Sequence, residues 1–356
     1  MKFIHTADLH LDSKTTSLPQ DKSKIIKEET ISSFERLLSY ARNEGVLAIL
    51  VSGDMFDGSR ISNKTKLRLE NLFKSYSDVD IIYLLGNHDE ENQIVLDENL
   101  KNVKRFDENW SKYSYGDVDI SGVMVNPKNS SYIYDTLSLD ENKVNIVMLH
   151  GQIVDYKSSG DSENISLPRL KEKNIDYLAL GHIHSYQRGK LDLRGEYVYS
   201  GCLTGRGFDE LDTKGFSLIN IEDGKLTSEF VPFSSYNFYV YKYCVTDKTN
   251  FYSCCDEILS SLKANYGAKS LIKIILTGEH DVDFIIDKEM LVSKISAYFF
   301  FVKVYDETEL KVTINDYQND KSFVGEFVRL VLSSDLSEEL KKQVVVTGLN
   351  AFKGEE

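Results

Sequence analysis

Short apolar runs, each stopped by a polar tip, recur through the first half of the chain. Residues 2–7 end at Asp8-Leu9-His10, and 46–51 end at Ser52-Gly53-Asp54. Residues 80–85 end at Gly86-Asn87-His88-Asp89, 144–149 at His150-Gly151, and 176–180 at Gly181-His182-Ile183-His184. A run that is apolar at every position predicts a strand buried on both faces, as in an α/β sheet. Between the first two strands, Ile26, Ile31, Phe34, Leu37, Leu38 and Ala41 recur at helical spacing, and Gly45 supplies a stop. Residues 60–76 predict a second helix with a basic face of Lys64, Lys66, Arg68 and Lys74. That face reads as solvated, although its place just beyond Asp54 leaves a contact with phosphate open. Residues 118–125 alternate loosely and predict a strand of a second sheet, and short strands with glycine turns continue to about 233.

Beyond about 235 the pattern changes. A tyrosine-rich strand (238–245), a helix (250–264), a strand (271–276), a helix (287–297) and a strand (298–305) precede two closing helices at 320–333 and 336–352. His280 is the one histidine in this part, and no ligand-like cluster accompanies it. The expectation is an α/β (α+β) protein with two domains, 1–233 carrying the chemistry and 234–356 forming a cap or docking module.

Composition narrows the class. Hydrophobic content of 41% and charged content of 28% are ordinary for a soluble globular protein. No run of ~18 apolar residues predicts a membrane span. The chain enters a strand at its second residue, which leaves no room for a signal peptide. Cys202, Cys244, Cys254 and Cys255 lack metal-clip spacing and read as reduced thiols of a cytoplasmic protein. The net charge of −14 is spread evenly, with 28 basic against 37 acidic side chains in 1–233 and 14 against 19 in 234–356. Nucleic-acid binding normally goes with a basic excess, so composition by itself weighs against DNA. The objection is limited, because a metal site must contain acidic ligands.

The polar tips carry the candidate chemistry. Asp8 and His10 stand two apart in an extended segment and share a side, as do His182 and His184. Gly53 lets the backbone approach closely before Asp54, and Gly86 lets the chain turn sharply before Asn87. Five of the seven histidines fall within these tips, too many for unrelated core accidents. His5, earlier on its strand, reads as a packing residue, and Asp57 as a carboxylate that organises a loop. Asp8, His10, Asp54, Asn87, His150, His182 and His184 supply mixed oxygen and nitrogen ligation suited to manganese, iron or zinc. Thiolates are missing from the set, which disfavours a closed structural zinc site. Seven ligands exceed one tetrahedral ion, so the simplest account is two divalent ions sharing one carboxylate. Such a pair, ~3.5–4 Å apart, activates water and holds a phosphate for in-line displacement.

The five tips together resemble the motifs of calcineurin-like metallophosphoesterases over about residues 1–233. The resemblance implies a β-sandwich flanked by helices with a di-metal centre at one edge, manganese being the favoured metal. It implies Asp8, His10 and His184 around the first ion, Asn87, His150 and His182 around the second, and Asp54 between them. His88, oriented by Asp89, would contact the scissile phosphate and stabilise the leaving group. The opening Ile4-His5-Thr6-Ala7-Asp8-Leu9-His10-Leu11-Asp12-Ser13 and the segment Gly201-Cys202-Leu203-Thr204-Gly205-Arg206-Gly207-Phe208-Asp209-Glu210, with Lys214-Gly215 after it, are similar to SbcD-type DNA-repair exonucleases. Asp12 stands where many of those proteins have glycine, and the Leu-Asp-Ser and Gly-Arg-Gly-Phe-Asp-Glu forms are closer to a shorter bacterial branch. This implies a metal-dependent DNA exonuclease or endonuclease working with an SbcC-like, SMC-type ATPase, with a homodimer as a further candidate assembly and no membrane partner. The rival readings are a phosphatase or phosphodiesterase of small molecules, nucleotides or phosphoproteins, which the acidity favours, and a non-catalytic scaffold, which a complete ligand set disfavours.

Overall fold

The structure is a computed structural model that describes residues 1–13, 15, 17–56, 61–85, 99–156, 163–246, 250–280, 284–311 and 320–353. Two compact units divide the chain, Met1–Phe238 and Tyr239–Glu356.

Two six-stranded sheets form the first unit. In the first, β1 (Lys2–Thr6), β2 (Ala48–Ser52), β3 (Asp80–Leu84) and β4 (Val103–Phe106) run parallel in that order, and the hairpin of β13 (Gly215–Glu222) and β14 (Lys225–Pro232) adds antiparallel to β1. In the second, β6 (Val118–Gly122), β7 (Val144–His150), β10 (Tyr177–Gly181) and β12 (Glu196–Tyr199) run parallel, with β5 (Ser111–Tyr115) and β11 (Gln187–Lys190) as antiparallel edges. A short parallel pair, β8 (Gln152–Val154) and β9 (Asn164–Ser166), stands apart.

Period-two alternation explains why the central strands carry apolar residues on both faces. Ala48 and Leu50 of β2 face Ile146 and Met148 of β7 across the core between the sheets. Ile49 and Val51 point the other way, into a second core under helices α1 (Gln20–Asn43) and α2 (Asn63–Ser75). Val147 and Leu149 likewise point outward, towards the short helices α3 (Ile133–Thr136) and α4 (Leu167–Leu170). The result is helix, sheet, sheet, helix: the β-sandwich flanked by helices that the resemblance implies. Arg68 of α2 is engaged with Glu28 and, at 3.0 Å, Glu35 of α1. The reading of the α2 basic face as solvated or phosphate-facing is corrected for this residue, because the guanidinium ties two helices together.

The second unit has a sheet in the order β15 (Phe238–Val245), β16 (Leu271–His280), β17 (Phe301–Asp306), with β18 (Glu309–Leu310) paired to β16. Helices α5 (Phe251–Asn265) and α6 (Lys288–Ser296) cover one face through Cys254, Ile258, Leu262, Leu291 and Ile295. Asn250 and Asp287 cap their N-termini. The closing helices α7 (Phe323–Leu332) and α8 (Glu338–Lys353) pack on each other through Val328, Val345 and Leu349. The cysteines are free thiols. Among the described residues no helix is long and apolar enough to cross a membrane.

Candidate metal centre

The described candidates come from the carboxyl ends of four strands. β1 and β2 are neighbours in one sheet, β7 and β10 in the other, and the four carboxyl ends open on a common edge. The backbones interlock there: Asp8 N–H donates to Gly53 O (3.1 Å) and His10 N–H to Asp54 O (3.0 Å). Ser52 Oγ donates to Ala179 O (3.2 Å) from one sheet to the other. Close approach requires glycine at two places. A Cβ on Gly181 would lie 1.8 Å from Ser52 O, and one on Gly53 would lie 2.1 Å from His150 Nδ1.

Side-chain atoms converge on this edge. His10 Nε2 stands 3.3 Å from His184 Nε2. A single oxygen, Asp54 Oδ2, lies 3.8 Å from His10 Nε2 and 3.5 Å from His150 Nε2, and so faces both halves of the cluster. His150 Nδ1 donates to Ser52 O (2.9 Å), which makes Nε2 the acceptor nitrogen of the neutral tautomer. Ligand atoms of Asp8, His10 and His184 lie within 4.8 Å of one another, as do those of Asp8, Asp54 and His150. Asp8 is thus common to both sets, while Asp54 reaches both through Oδ2. His182 belongs to neither set. Its backbone N–H donates to both oxygens of Asp8 (3.0 and 3.1 Å), and its ring meets that of His150 edge-on at 5.6 Å.

The backbone at these positions is strained. Asp8, His10, Asp54 and His182 have φ of +50°, +42°, +48° and +100°. Left-handed conformations cost non-glycine residues ~1–3 kcal/mol each and persist where a site demands them. Burial adds an electrostatic cost: it pushes the Asp8 carboxyl up to about 6, against the opposing pull of His150 and His184. Burial, aided by His150, lowers His182. Buried carboxylates beside imidazole lone pairs, held on strained backbone, are a poor arrangement for stability alone. They fit divalent cations, whose charge would offset the desolvation of the carboxylates and accept the lone pairs.

His184 is held by residues that the sequence reading quoted only for their resemblance. Its Nδ1 bonds Glu210 Oε1 at 2.7 Å, and its carbonyl accepts from Lys214 Nζ at 2.8 Å. Glu210 is 3% exposed and receives the backbone N–H (2.7 Å), Nε (3.0 Å) and Nη2 (2.5 Å) of Arg206. Burial would raise the Glu210 carboxyl, but the hydrogen bonds from His184 and Arg206 outweigh it and hold it at about 2. Burial would lower His184, yet Glu210 and Asp8 carry it above its ordinary value. A glutamate in a glycine-rich loop, four residues after an arginine, was the available signal.

Asn87, His88 and Asp89 lie outside the described residues, as does Asp57. His5 is fully buried and bonds Tyr177 Oη through Nδ1 at 2.9 Å. Burial lowers it to about 3, so it is a neutral packing group.

A model of the family described as calcineurin-like phosphoesterase matches residues 1–186. A Bacillus subtilis protein named uncharacterized metallophosphoesterase YhaO is 28% identical over 65% of this chain and 60% of its own length. A Sulfolobus acidocaldarius protein named DNA double-strand break repair protein Mre11 is 25% identical over the whole of both chains. A Methanosarcina acetivorans protein of the same name is 23% identical over 83% of this chain, which spans only 50% of that relative.

Proposed function

The chain belongs to the calcineurin-like phosphoesterase family, and on that premise we propose that it is a two-cation phosphodiesterase that cleaves DNA. One observation carries the chemistry. His10 and His184 point ring nitrogens at each other across 3.3 Å, with Asp54 Oδ2 facing both His10 and His150. With Nδ1 of His184 engaged by Glu210, its Nε2 is the acceptor nitrogen, and a cation between it and His10 Nε2 would take both nitrogens and the Asp54 oxygen as ligands. Asp8, His10 and His184 would hold one ion, Asn87, His150 and His182 the other, and Asp54 both; manganese suits this ligand set, with iron or zinc as alternatives. Bound there, the ions would supply Lewis-acid activation of water and of the phosphate. His150 keeps its tautomer through Ser52 O, and His182 N–H steadies Asp8. His88, oriented by Asp89, would meet the charge developing at the phosphate and the leaving oxygen.

DNA as substrate is supported by the relatives named for double-strand break repair. A net charge of −14 favours a small phosphodiester instead. Purified protein with Mn2+ on labelled single- and double-stranded DNA, beside an aryl phosphodiester, decides between them. Turnover of DNA supports the proposal, and turnover of the small ester alone sinks it.

An SMC-type ATPase partner would reconcile an acidic nuclease with DNA by supplying part of the grip. The α7–α8 pair suits such a partner, because Phe323 (76%), Leu330 (64%) and Phe352 (46%) are exposed while Val328, Val345 and Leu349 already fill the space between the helices. Leu330→Ser should abolish capture of the ATPase in a pull-down and leave hydrolysis of the aryl ester unchanged. Retained capture would place the partner elsewhere.

A further inference from the structure

The two cation positions are supported by different means. His150 is oriented by a backbone carbonyl, Ser52 O, which no side-chain substitution removes. His184 is oriented by a side chain, Glu210, itself fixed by Arg206 through three nitrogen atoms. Resting on the two-cation reading, we propose that Glu210 is a positioning residue that aims Nε2 of His184 at the cation position bounded by Asp8 and His10, and so sets the affinity of that position alone.

The chemistry follows from which nitrogen carries the proton. A carboxylate on Nδ1 keeps the proton there, leaves the Nε2 lone pair for a cation, and increases the electron density the ring donates. Nε2 then lies 3.3 Å from His10 Nε2, the place where a cation shared with Asp8 would sit. Neither oxygen of Glu210 can swing away. Oε1 takes His184 Nδ1 and Arg206 Nη2, and Oε2 takes the Arg206 backbone N–H. The His184 main chain is pinned as well, because its carbonyl accepts from the buried Lys214 ammonium and from Cys202 N–H (3.4 Å). Ring and backbone are therefore fixed by one loop, 201–214. A glutamate that only neutralised Arg206 would have no need to face the imidazole.

Calorimetric titration of Mn2+ into the full chain, with electron paramagnetic resonance of the bound ions, tests the assignment. Wild type should take up two ions and show the signal of a coupled pair. Glu210→Gln, which keeps shape and volume, should weaken one ion by ~10–100-fold, abolish the coupled signal at limiting Mn2+, and leave the other ion at wild-type affinity. In a His184→Ala background, Glu210→Gln should change affinity by less than about twofold, because a residue that acts through His184 has nothing left to act on. Two ions bound at wild-type affinity in Glu210→Gln, or a penalty that adds in full on His184→Ala, overturns the proposal. If Glu210→Gln fails to fold by circular dichroism, Arg206→Lys serves instead: weakening of the same single ion supports the clamp, and unchanged affinity for both overturns it. A wild-type protein that binds no Mn2+ overturns the two-cation reading itself, whereas a wild type with two ions beside an unaltered Glu210→Gln overturns only the clamp.

Discussion

Asp119, on β6 beside the sheet edge, and Asp8, past the end of β1, are each 1% exposed, yet their surroundings differ in kind. Asp119 meets two lysines, Lys112 at 2.8 Å and Lys143 at 2.9 Å, and accepts from Ser114 Oγ at 2.6 Å. Burial would raise its carboxyl, but those hydrogen bonds outweigh it and hold it at about 2. Asp8 faces imidazoles, a second carboxylate and a backbone N–H, and burial pushes it up to about 6. The chain neutralises the first charge with its own cations. For the second it supplies only groups that a cation from solution would complete. Burial of Asp119 therefore needs no ligand to explain it, whereas burial of Asp8 is left for a ligand to complete.

The comparison can be broken most severely at Asp54. Asp54→Asn should cut phosphodiester turnover by ~10⁴-fold or more, the scale for removing one member of an interdependent set. Its melting temperature without metal should stay at or above wild type, because a buried charge is removed. A destabilised, active Asp54→Asn would make this carboxylate structural, like Asp119. Next comes His88→Ala, for which a rate loss of ~10²–10⁴ is expected with metal content unchanged by elemental analysis; lost metal would move His88 into the ligand set.

Smaller effects concern stability. In thermal melts, Mn2+ at 100 times its dissociation constant should stabilise wild type by ~2.7 kcal/mol for each ion bound and Asp54→Asn by much less. Equal stabilisation would place the ions elsewhere. Asp119→Asn should cost only ~1 kcal/mol, because the lysines it releases can turn to water, and turnover should stay within about twofold. The sign of its pH dependence is set by a folded value depressed from 3.8 to about 2. The stabilisation is complete above about 3.8 and is lost as pH falls through about 2, so the two melting curves should separate at pH 7 and converge below pH 2.

Much of the centre was legible before any coordinates. Residues 46–51 and 144–149 read as strands buried on both faces, since runs this short and this rich in apolar, β-branched side chains suit a doubly covered strand better than a buried helix, which would be longer. What followed them, Gly53-Asp54 and His150-Gly151, had to be a tip. The repeated joining of such a strand to such a tip, independent of spacing between them, is a local signal that one chain can carry. Arg68 shows the converse: its partners Glu28 and Glu35 lie on another helix, and periodicity within α2 could not distinguish them from solvent.

Sequence by itself determined the central strands and the longer helices, the change in character near residue 235 and the candidate ligand types, because each depends on residues adjacent along the chain. Short elements such as β8, β9, α3 and α4 carry no such local signal. Tertiary structure decided which atoms meet. It brought Asp54 Oδ2 within reach of His10 and His150, turned His150 Nδ1 to the Ser52 carbonyl, and set Glu210 against His184 across 26 residues. These pairings depend on how two sheets pack and where a loop returns. Alternation along a strand fixes which face a side chain takes, but its distance from a group on another sheet is set only when the shared core of Leu50, Ile82, Ile146 and Met148 closes.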